Sequence, residues 1–176
     1  LWQAGIPLQT WLDKPVGFGG FNIKDASLLA IPGKPENYLL TGQVYRGGGA
    51  YDPFAFVINP QGERISTIDL DDTGNFYGDL LVAVDDRHVV AALAQLDGTG
   101  EFRLHDHQGK LLIRQPGLPA PACCEWVPPN SGSDTWRYLG GHWNYPAKQA
   151  DLSLWDLMLQ SEQAKVGPAQ QGQSGP

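Results

Sequence analysis

Short apolar runs, broken by turn-forming segments, recur along this chain with a period of about fifty residues. Within most runs the apolar and polar positions alternate, as is typical of half-buried β-strands. A unit of this length that recurs in sequence buries its apolar face only against the next copy. The sequence contains three copies. Their first segments are 38–42, 88–92 and 136–140, and their second segments are 54–59, 102–106 and 152–156.

A hairpin turn recurs in the first two copies, in the segments 59–62 (Asn-Pro-Gln-Gly) and 106–109 (Asp-His-Gln-Gly). Asn or Asp, followed by Gly, suits a tight reversal between antiparallel strands. A further apolar run precedes each first segment, and a strand such as 65–70 follows the turn. Each repeat is therefore predicted to hold four short strands. The preceding runs are 26–30, 80–84 and 123–127.

The two ends of the chain depart from this pattern. Residues 7–12 are predicted to form an outer strand that lacks the three strands expected before it, and the third repeat ends near Leu159 after its third strand. We therefore expect strand 7–12 to complete the last repeat. A helix over 152–165 is the less favoured alternative to a strand there. The Gln-, Gly-, Ser- and Pro-rich residues 164–176 are predicted to be a flexible tail.

The segments 37–43 and 52–63 resemble a β-propeller blade common in secreted and periplasmic bacterial proteins. The match extends over about 26–156 and is strongest in the first two copies. It implies an all-β, propeller-like array of about three four-stranded antiparallel blades. These blades would form a single repeat domain over 1–163. The blades are expected at about 24–70, 77–115 and 121–160.

Known propellers close with about four or more blades. Four arrangements are consistent with three blades here. The chain can form a six-bladed ring with a second copy, pair with another propeller half, belong to a longer chain, or close in an unusual way. Unpaired blades would expose sheet edges that favour association, so the expected partner is another protein chain or a second copy.

Composition narrows the function classes. The 41% apolar and 18% charged residues indicate a globular chain, and 22 Gly with 14 Pro favour short strands and turns. The net charge is −7, without a run of Lys or Arg, so neither nucleic acid nor an anionic membrane surface is an expected partner. No apolar stretch has the roughly 18–20 residues that a membrane-spanning helix needs. The chain begins at Leu1, which suggests processing or excerpting.

No catalytic motif stands out, and no cofactor is predicted. His105 and His107 would share one face of a strand and could meet a metal ion, but their place at a hairpin end favours a solvated turn. The stretch from Asp69 resembles the start of a calcium loop, although Leu80 occupies the position where a bidentate Glu is expected. The alternative is an acidic loop of turn-forming residues. The candidate calcium ligands are Asp69, Asp71, Thr73 and Asn75.

Aromatic residues and the two cysteines give the remaining candidates. An aromatic platform beside polar donors suits a carbohydrate or quinone-like ring, whereas packing between blades is the alternative use of the same side chains. Cys123 and Cys124 are adjacent, so they are either two reduced thiols or a vicinal disulfide, which requires an oxidising compartment. The pair beside the aromatics is similar to quinoprotein dehydrogenases, which are propellers with a vicinal disulfide near the cofactor. The candidate ligand-binding residues are Trp126, Trp136, Tyr138, His142, Trp143 and Tyr145.

From these features the sequence predicts a non-catalytic propeller subunit, periplasmic or extracellular, that binds another protein. A carbohydrate-binding propeller and a fragment of a quinoprotein-type enzyme are the two alternatives.

Overall fold

A computed structural model describes residues 6–12, 23–47, 50–70, 76–95, 99–119, 135–144, 149–160 and 163–168. Within these ranges the chain forms one short helix followed by eleven strands. The helix is α1 (Leu8–Leu12), and the first four strands are β1 (Ile23–Ala30), β2 (Tyr38–Gly47), β3 (Ala50–Ile58) and β4 (Arg64–Ile68). The next four are β5 (Phe76–Val84), β6 (His88–Gln95), β7 (Thr99–Asp106) and β8 (Leu111–Pro119). The last three are β9 (Thr135–Asn144), β10 (Gln149–Gln160) and β11 (Gln163–Pro168). No helix among the described residues has the length and apolar character needed to cross a membrane.

The strands form three separate antiparallel sheets in sequence order. The first sheet has the order β1-β2-β3-β4, the second β5-β6-β7-β8, and the third β9-β10-β11. Every described pairing is antiparallel between strands adjacent in sequence. The predicted all-β class is therefore confirmed, and the chain is a propeller-like array in which each sheet is one blade.

The core lies between the first two blades. Leu39, Ala55 and Val57 of the first blade pack against Val89 and Ala91 of the second. We call this side of the first blade its front face and the opposite side its back face. The other side of the second blade carries its own apolar cluster, which includes Val90, Phe102 and Leu104. The first two blades therefore bury side chains on both faces, as stacked repeats do.

The predicted hairpin turns are confirmed in detail. In the first blade the Asn59 carboxamide oxygen accepts hydrogen bonds from the backbone N–H of Gln61 and Glu63. In the second blade the Asp106 carboxylate accepts from Gln108 and Lys110 in the same way. Each turn then passes through a glycine with positive φ, +79° at Gly62 and +92° at Gly109, which a residue with a Cβ rarely adopts. The local chemistry that predicted the turns is the chemistry that forms them.

Two expectations for the chain ends were wrong. Residues 8–12 form helix α1 instead of a strand, because Leu8, Trp11 and Leu12 have the spacing of one helical face and the Trp11 N–H donates to the Pro7 carbonyl. The fourth-position strand of the last blade is β11, which pairs with β10 from Gln160↔Gln163 to Trp155↔Pro168. Part of the expected tail, residues 164–168, is therefore strand, and the segment 152–160 is strand rather than helix.

Candidate functional site

Helix α1 covers the back face of the first blade. This face is apolar, and Leu8 of the helix is buried against Val44, Phe54, Phe56 and Ile58. Trp11 contacts the Phe56 ring edge-on at a centroid distance of 5.3 Å, a favoured aromatic geometry. The helix thus stabilises a sheet face that would otherwise expose large aromatic side chains to water.

Arg64 of β4 holds the end of this helix. Its guanidinium Nη1 donates to the Trp11 carbonyl at 3.1 Å, one of the carbonyls that a helix leaves without an internal partner. The same guanidinium lies 5.5 Å from the Trp11 ring centroid and 5.8 Å from that of Phe56. One side chain therefore combines a hydrogen bond with two cation–π contacts across the helix–sheet boundary.

An apolar cleft of about 540 Å³ lies beside the helix on the same face; we call it the end cleft. Its size falls within the range of about 300–1,000 Å³ that is usual for binding pockets. Ile23 of β1 lines it and is 40% exposed. None of the described side chains that line it is ionisable. The lining residues are Ile6, Pro7, Leu8, Thr10, Ile23, Ala26, Leu40 and Phe54.

The edge of the sheet beside this cleft is irregular. The pairing of β1 with β2 shifts between Lys24 and Ser27, and Asp25 adopts a φ of +55° within this β-bulge. Lys24 contacts the Asp25 carboxylate at 3.3 Å and lies 5.3 Å from the centre of the Tyr51 ring. A bulged, charged edge discourages pairing with a further strand, so the accessible feature here is the apolar cleft rather than the strand edge.

The interface between the first and second blades contains buried charge. Glu101 and Arg103 of β7 are both almost fully buried, and their ion pair spans 2.6 Å from the Arg103 Nε to Glu101. Gln95 and Arg114 also donate to the Glu101 carboxylate, at 2.8 and 3.0 Å. Arg103 reaches across to the Asp69 carbonyl of the first blade at 3.5 Å. Each charge is thereby compensated, as burial requires.

Two histidines lie in the same interface, and both are buried. Burial, followed by the positive charge of Arg103, lowers the pKa of His105 from 6.5 to about 4, while a hydrogen bond with the Asp69 carbonyl opposes this. Burial and then Lys34 lower the pKa of His107. The Lys34 ammonium donates to the His107 Nδ1 at 2.6 Å, and the Ser66 hydroxyl donates to the His107 carbonyl at 2.6 Å.

These contacts correct the expectation of a solvated turn at His105 and His107. The β7–β8 turn packs on the first blade, so both imidazoles are enclosed. His105 is in β7, whereas His107 lies in the turn that follows it. Among the residues that the structure describes, no group of three or more His, Cys, Asp or Glu side chains could hold a metal ion.

For most residues that the sequence predicted to bind ligands or metal, the structure does not describe the side chain. The structure places the backbone of Trp136, Tyr138, His142 and Trp143 in β9, opposite Leu157, Trp155, Asp151 and Ala150 of β10. Asp69 directly follows β4 and is exposed, with its carbonyl facing Arg103 and His105. The remaining predicted positions fall outside the described residues. They are Asp71, Thr73, Asn75, Cys123, Cys124, Trp126 and Tyr145.

Sequence reasoning missed the residues that form the end cleft. The signal was present in the spacing of Leu8, Trp11 and Leu12, which fits positions i, i+3 and i+4 of a helix, and in Pro7 before the first helical residue. No sequence pattern indicated that Ile23 would be exposed, because its exposure depends on how far the helix covers the sheet.

Comparisons with known proteins leave the family open. No protein-family model matches the sequence, and no curated protein is significantly similar to it. The fold is similar to a solved structure described as "Bacteroides ovatus Xyloglucan PUL GH43B", with a TM-score of 0.48 and 14% sequence identity. That similarity covers 88% of this chain and 30% of the other, so the chain spans about a third of its neighbour's length.

Proposed function

We propose that this chain is a non-catalytic, propeller-type binding module that acts through protein–protein contacts at the end cleft. The observation that carries the proposal is an open, apolar cleft on the back face of the first blade, beside α1. An apolar cleft of this kind, with the partly exposed Ile23 in its lining, supports contact with another protein.

The chemistry of the cleft supports binding rather than catalysis. Among the residues that the structure describes around it, the polar lining consists of the Thr10 hydroxyl and backbone groups, and none of them is a general acid, a general base or an activated nucleophile. The buried charges of the first blade interface are engaged with one another and enclosed. Their contacts join the second blade to the first blade, whose back face forms the cleft.

A photo-crosslinking experiment tests this proposal. p-Benzoylphenylalanine is placed at position 23 or, as a matched control, at position 65 in the full chain, expressed in cells that naturally produce it. Ile65 lies on the other edge strand of the same blade and is 53% exposed. We expect a protein adduct of defined mass from position 23 and at least about tenfold less from position 65. Equal yields at the two positions, or none at position 23, would contradict the proposal.

The two alternative functions remain predictions. Carbohydrate binding by the β9 aromatics predicts quenching of tryptophan fluorescence on addition of a sugar. The quinoprotein-type alternative predicts a Cys123–Cys124 disulfide, which reduction would reveal as a mass increase of about two hydrogens. Neither change is expected if the chain acts only through the end cleft.

A further inference from the structure

A hydrogen bond between two side chains joins the first blade to the second where the β1–β2 and β7–β8 turns meet. The Lys34 ammonium, in the β1–β2 turn, donates to the His107 Nδ1 at 2.6 Å. His107 lies in the β7–β8 turn and is only 4% exposed. The β1–β2 turn also approaches the β5–β6 turn, since a Cβ added at Gly33 would lie 3.5 Å from the Asp86 Cβ. The hydrogen bond therefore lies within the contact between two blades and not on an open surface.

This hydrogen bond requires a neutral imidazole. An ammonium group can only donate, so the His107 Nδ1 must supply a lone pair and the ring proton lies on Nε2. Nε2 is buried without a well-formed hydrogen bond to any described residue. A proton added to Nδ1 would remove the acceptor and place a second positive charge beside the Lys34 ammonium.

The groups that face His107 oppose its protonation. Burial and then the Lys34 charge lower its pKa, whereas the backbone of His88 and Asp85 and the Asp85 carboxylate act the other way. The Asp85 carboxylate is already engaged, because it contacts the His88 ring at 3.2 Å and accepts from the His88 backbone N–H. From β4, Ser66 contributes only an uncharged hydroxyl.

The charged residues of the β7–β8 turn itself are directed elsewhere. The Asp106 carboxylate accepts from the backbone N–H groups of Gln108 and Lys110, and Lys110 is exposed. Lys34 is therefore the cation whose position depends on the protonation of His107.

The two turns do not depend on this hydrogen bond for their own structure. In the β1–β2 turn the Lys34 N–H donates to the Ile31 carbonyl at 3.1 Å, and the Asn37 N–H donates to the Lys34 carbonyl at 2.9 Å. The β7–β8 turn is attached to β4 by the Ser66 hydroxyl, which donates to the His107 carbonyl at 2.6 Å. None of these three bonds involves the imidazole ring, so the turns can separate without either one unfolding.

We infer that His107 is a proton-sensitive switch between the first two blades. In acid its Nδ1 binds a proton from water, the Lys34 ammonium moves into solvent with its charge unchanged, and the β1–β2 turn separates from the β7–β8 turn. β4 remains attached through Ser66. The Lys34–His107 contact is complete above pH about 6.5 and is lost as the pH falls through the lowered pKa of His107. The end cleft, on the back face of the first blade, takes no part in this change.

An NMR titration of the isotope-labelled full chain tests this inference. Long-range proton–nitrogen spectra follow the four imidazoles from pH about 7.5 to about 4, and His107→Gln identifies the His107 signals. Nuclear Overhauser effects between the Lys34 side chain and the His107 ring report the contact itself. The same effects between Leu39 and Val89 report the core between the blades. Lys34→Met is compared with the matched control Lys110→Met, which removes an exposed lysine from the same turn as His107.

We expect the His107 proton on Nε2 at neutral pH, and a Lys34 contact that weakens at least about fivefold as His107 takes up a second proton. The contact between Leu39 and Val89 should persist through this step. Lys34→Met should raise the proton affinity of His107 at least about threefold, and Lys110→Met less than about twofold. Circular dichroism shows whether each variant keeps its sheets, and Lys34→Gln serves in place of Lys34→Met if the latter does not fold.

Three results would overturn the inference. One is a Lys34 contact that persists on protonated His107, and another is an equal effect of the two lysine variants. The third is loss of the contact between Leu39 and Val89 before or together with the protonation of His107, because the change would then be unfolding of the chain and not a local separation of two turns.

Discussion

His105 and His107 lie two residues apart, and different groups surround them. His105 is hydrogen-bonded to the Asp69 carbonyl and lies near Arg103, whereas His107 accepts a hydrogen bond from Lys34. For both, burial is the largest cause of a lowered pKa. The folded chain therefore binds protons at these sites less readily than the unfolded chain does.

This difference predicts acid sensitivity. The pKa of His105 is about 4 in the folded chain against 6.5 in an unperturbed imidazole, so protonation favours unfolding. The stabilising contribution is complete above pH about 6.5 and is lost as the pH falls towards about 4; it amounts to about 3 kcal/mol. His107 acts in the same direction. Urea unfolding at several pH values, in the original chain and in His105→Gln, measures the effect.

The comparison with the variant separates His105 from the carboxylates that also titrate in this range. We expect His105→Gln to show a smaller loss of unfolding free energy between pH about 7 and about 4.5. The same loss in both proteins would show that the neutral imidazole of His105 does not stabilise the interface.

The buried pair of Glu101 and Arg103 gives a second prediction. Arg103→Met leaves the carboxylate buried with one fewer positive charge, and we expect a loss of about 3–5 kcal/mol in unfolding free energy. The control Arg87→Met removes a cation whose ion pair with Asp86 spans 3.7 Å and is about two-thirds exposed, and should cost about 0–1 kcal/mol. Similar losses for the two variants, measured by urea unfolding, would contradict this account.

At the scale of elements, the turn between β7 and β8 joins two blades. Gly109 combines a φ of +92° with close packing, since a Cβ added there would overlap the Thr67 carbonyl oxygen of β4. Gly117 has a similar φ of +76°, but a Cβ added there would meet nothing within 4 Å. The two glycines thus separate the cost of backbone conformation from the cost of a steric clash.

We therefore predict that Gly117→Ala destabilises the chain by about 1–2 kcal/mol, the cost of a left-handed conformation for a residue with a Cβ. Gly109→Ala should cost at least about 2 kcal/mol more, because the β7–β8 turn must also move away from the first blade. Thermal unfolding of the two variants measures both values. Equal losses would show that the turn separates from β4 without cost.

Helix α1 provides the second element-scale test. Leu8→Ala removes a buried side chain from the back face of the first blade, and we expect a loss of about 2–4 kcal/mol together with faster amide exchange in residues 8–12. Thr10→Ala, at an exposed position of the same helix, serves as the control and should change stability by less than about 0.5 kcal/mol. Equal exchange rates in the two variants would contradict the role of Leu8.

The sequence was sufficient for the sheets and turns, but not for which face each strand buries. The sequence repeat matches Tyr38 with His88, 50 residues later. The strand pairings instead make Tyr38 equivalent to Val89, 51 residues later, because each pairs with the residue just before the hairpin turn. A shift of one residue exchanges the two faces of a strand. Leu39 and Val89, which the repeat treated as equivalent, instead meet across the first interface. Apolar residues on both faces of these strands concealed the difference.

At the scale of the whole molecule, the repeat predicted a row of blades, and the described sheets follow it. The candidate site was not predictable in the same way. The end cleft depends on how much of the first blade α1 covers, and this follows from helix length and packing rather than from any motif. The buried cluster around Glu101 was also hidden, because its members look like ordinary alternating polar residues of a surface strand.

The apolar end cleft predicts how self-association of the chain would depend on protein and salt concentration. If a second copy occupies the end cleft, native mass will rise above that of the monomer as protein concentration increases, and Ile23→Asp will restore the monomer while Ile65→Asp will not. Added salt should not dissociate the assembly, because the contact is apolar. Light scattering coupled to size exclusion measures this. A monomer at every concentration would eliminate the second copy and leave a different protein as the partner.

The contrast between Phe54, Phe56 and Ile58 on one blade and Glu101, Arg103 and His105 on the next has a consequence for how the chain assembles. The two blades have the same strand order but carry incompatible side chains at corresponding positions. If the second blade packed beneath α1 in place of the first, Glu101 and Arg103 would be buried against Leu8 and Leu12. This mismatch disfavours arrangements in which the two blades exchange positions as the chain folds.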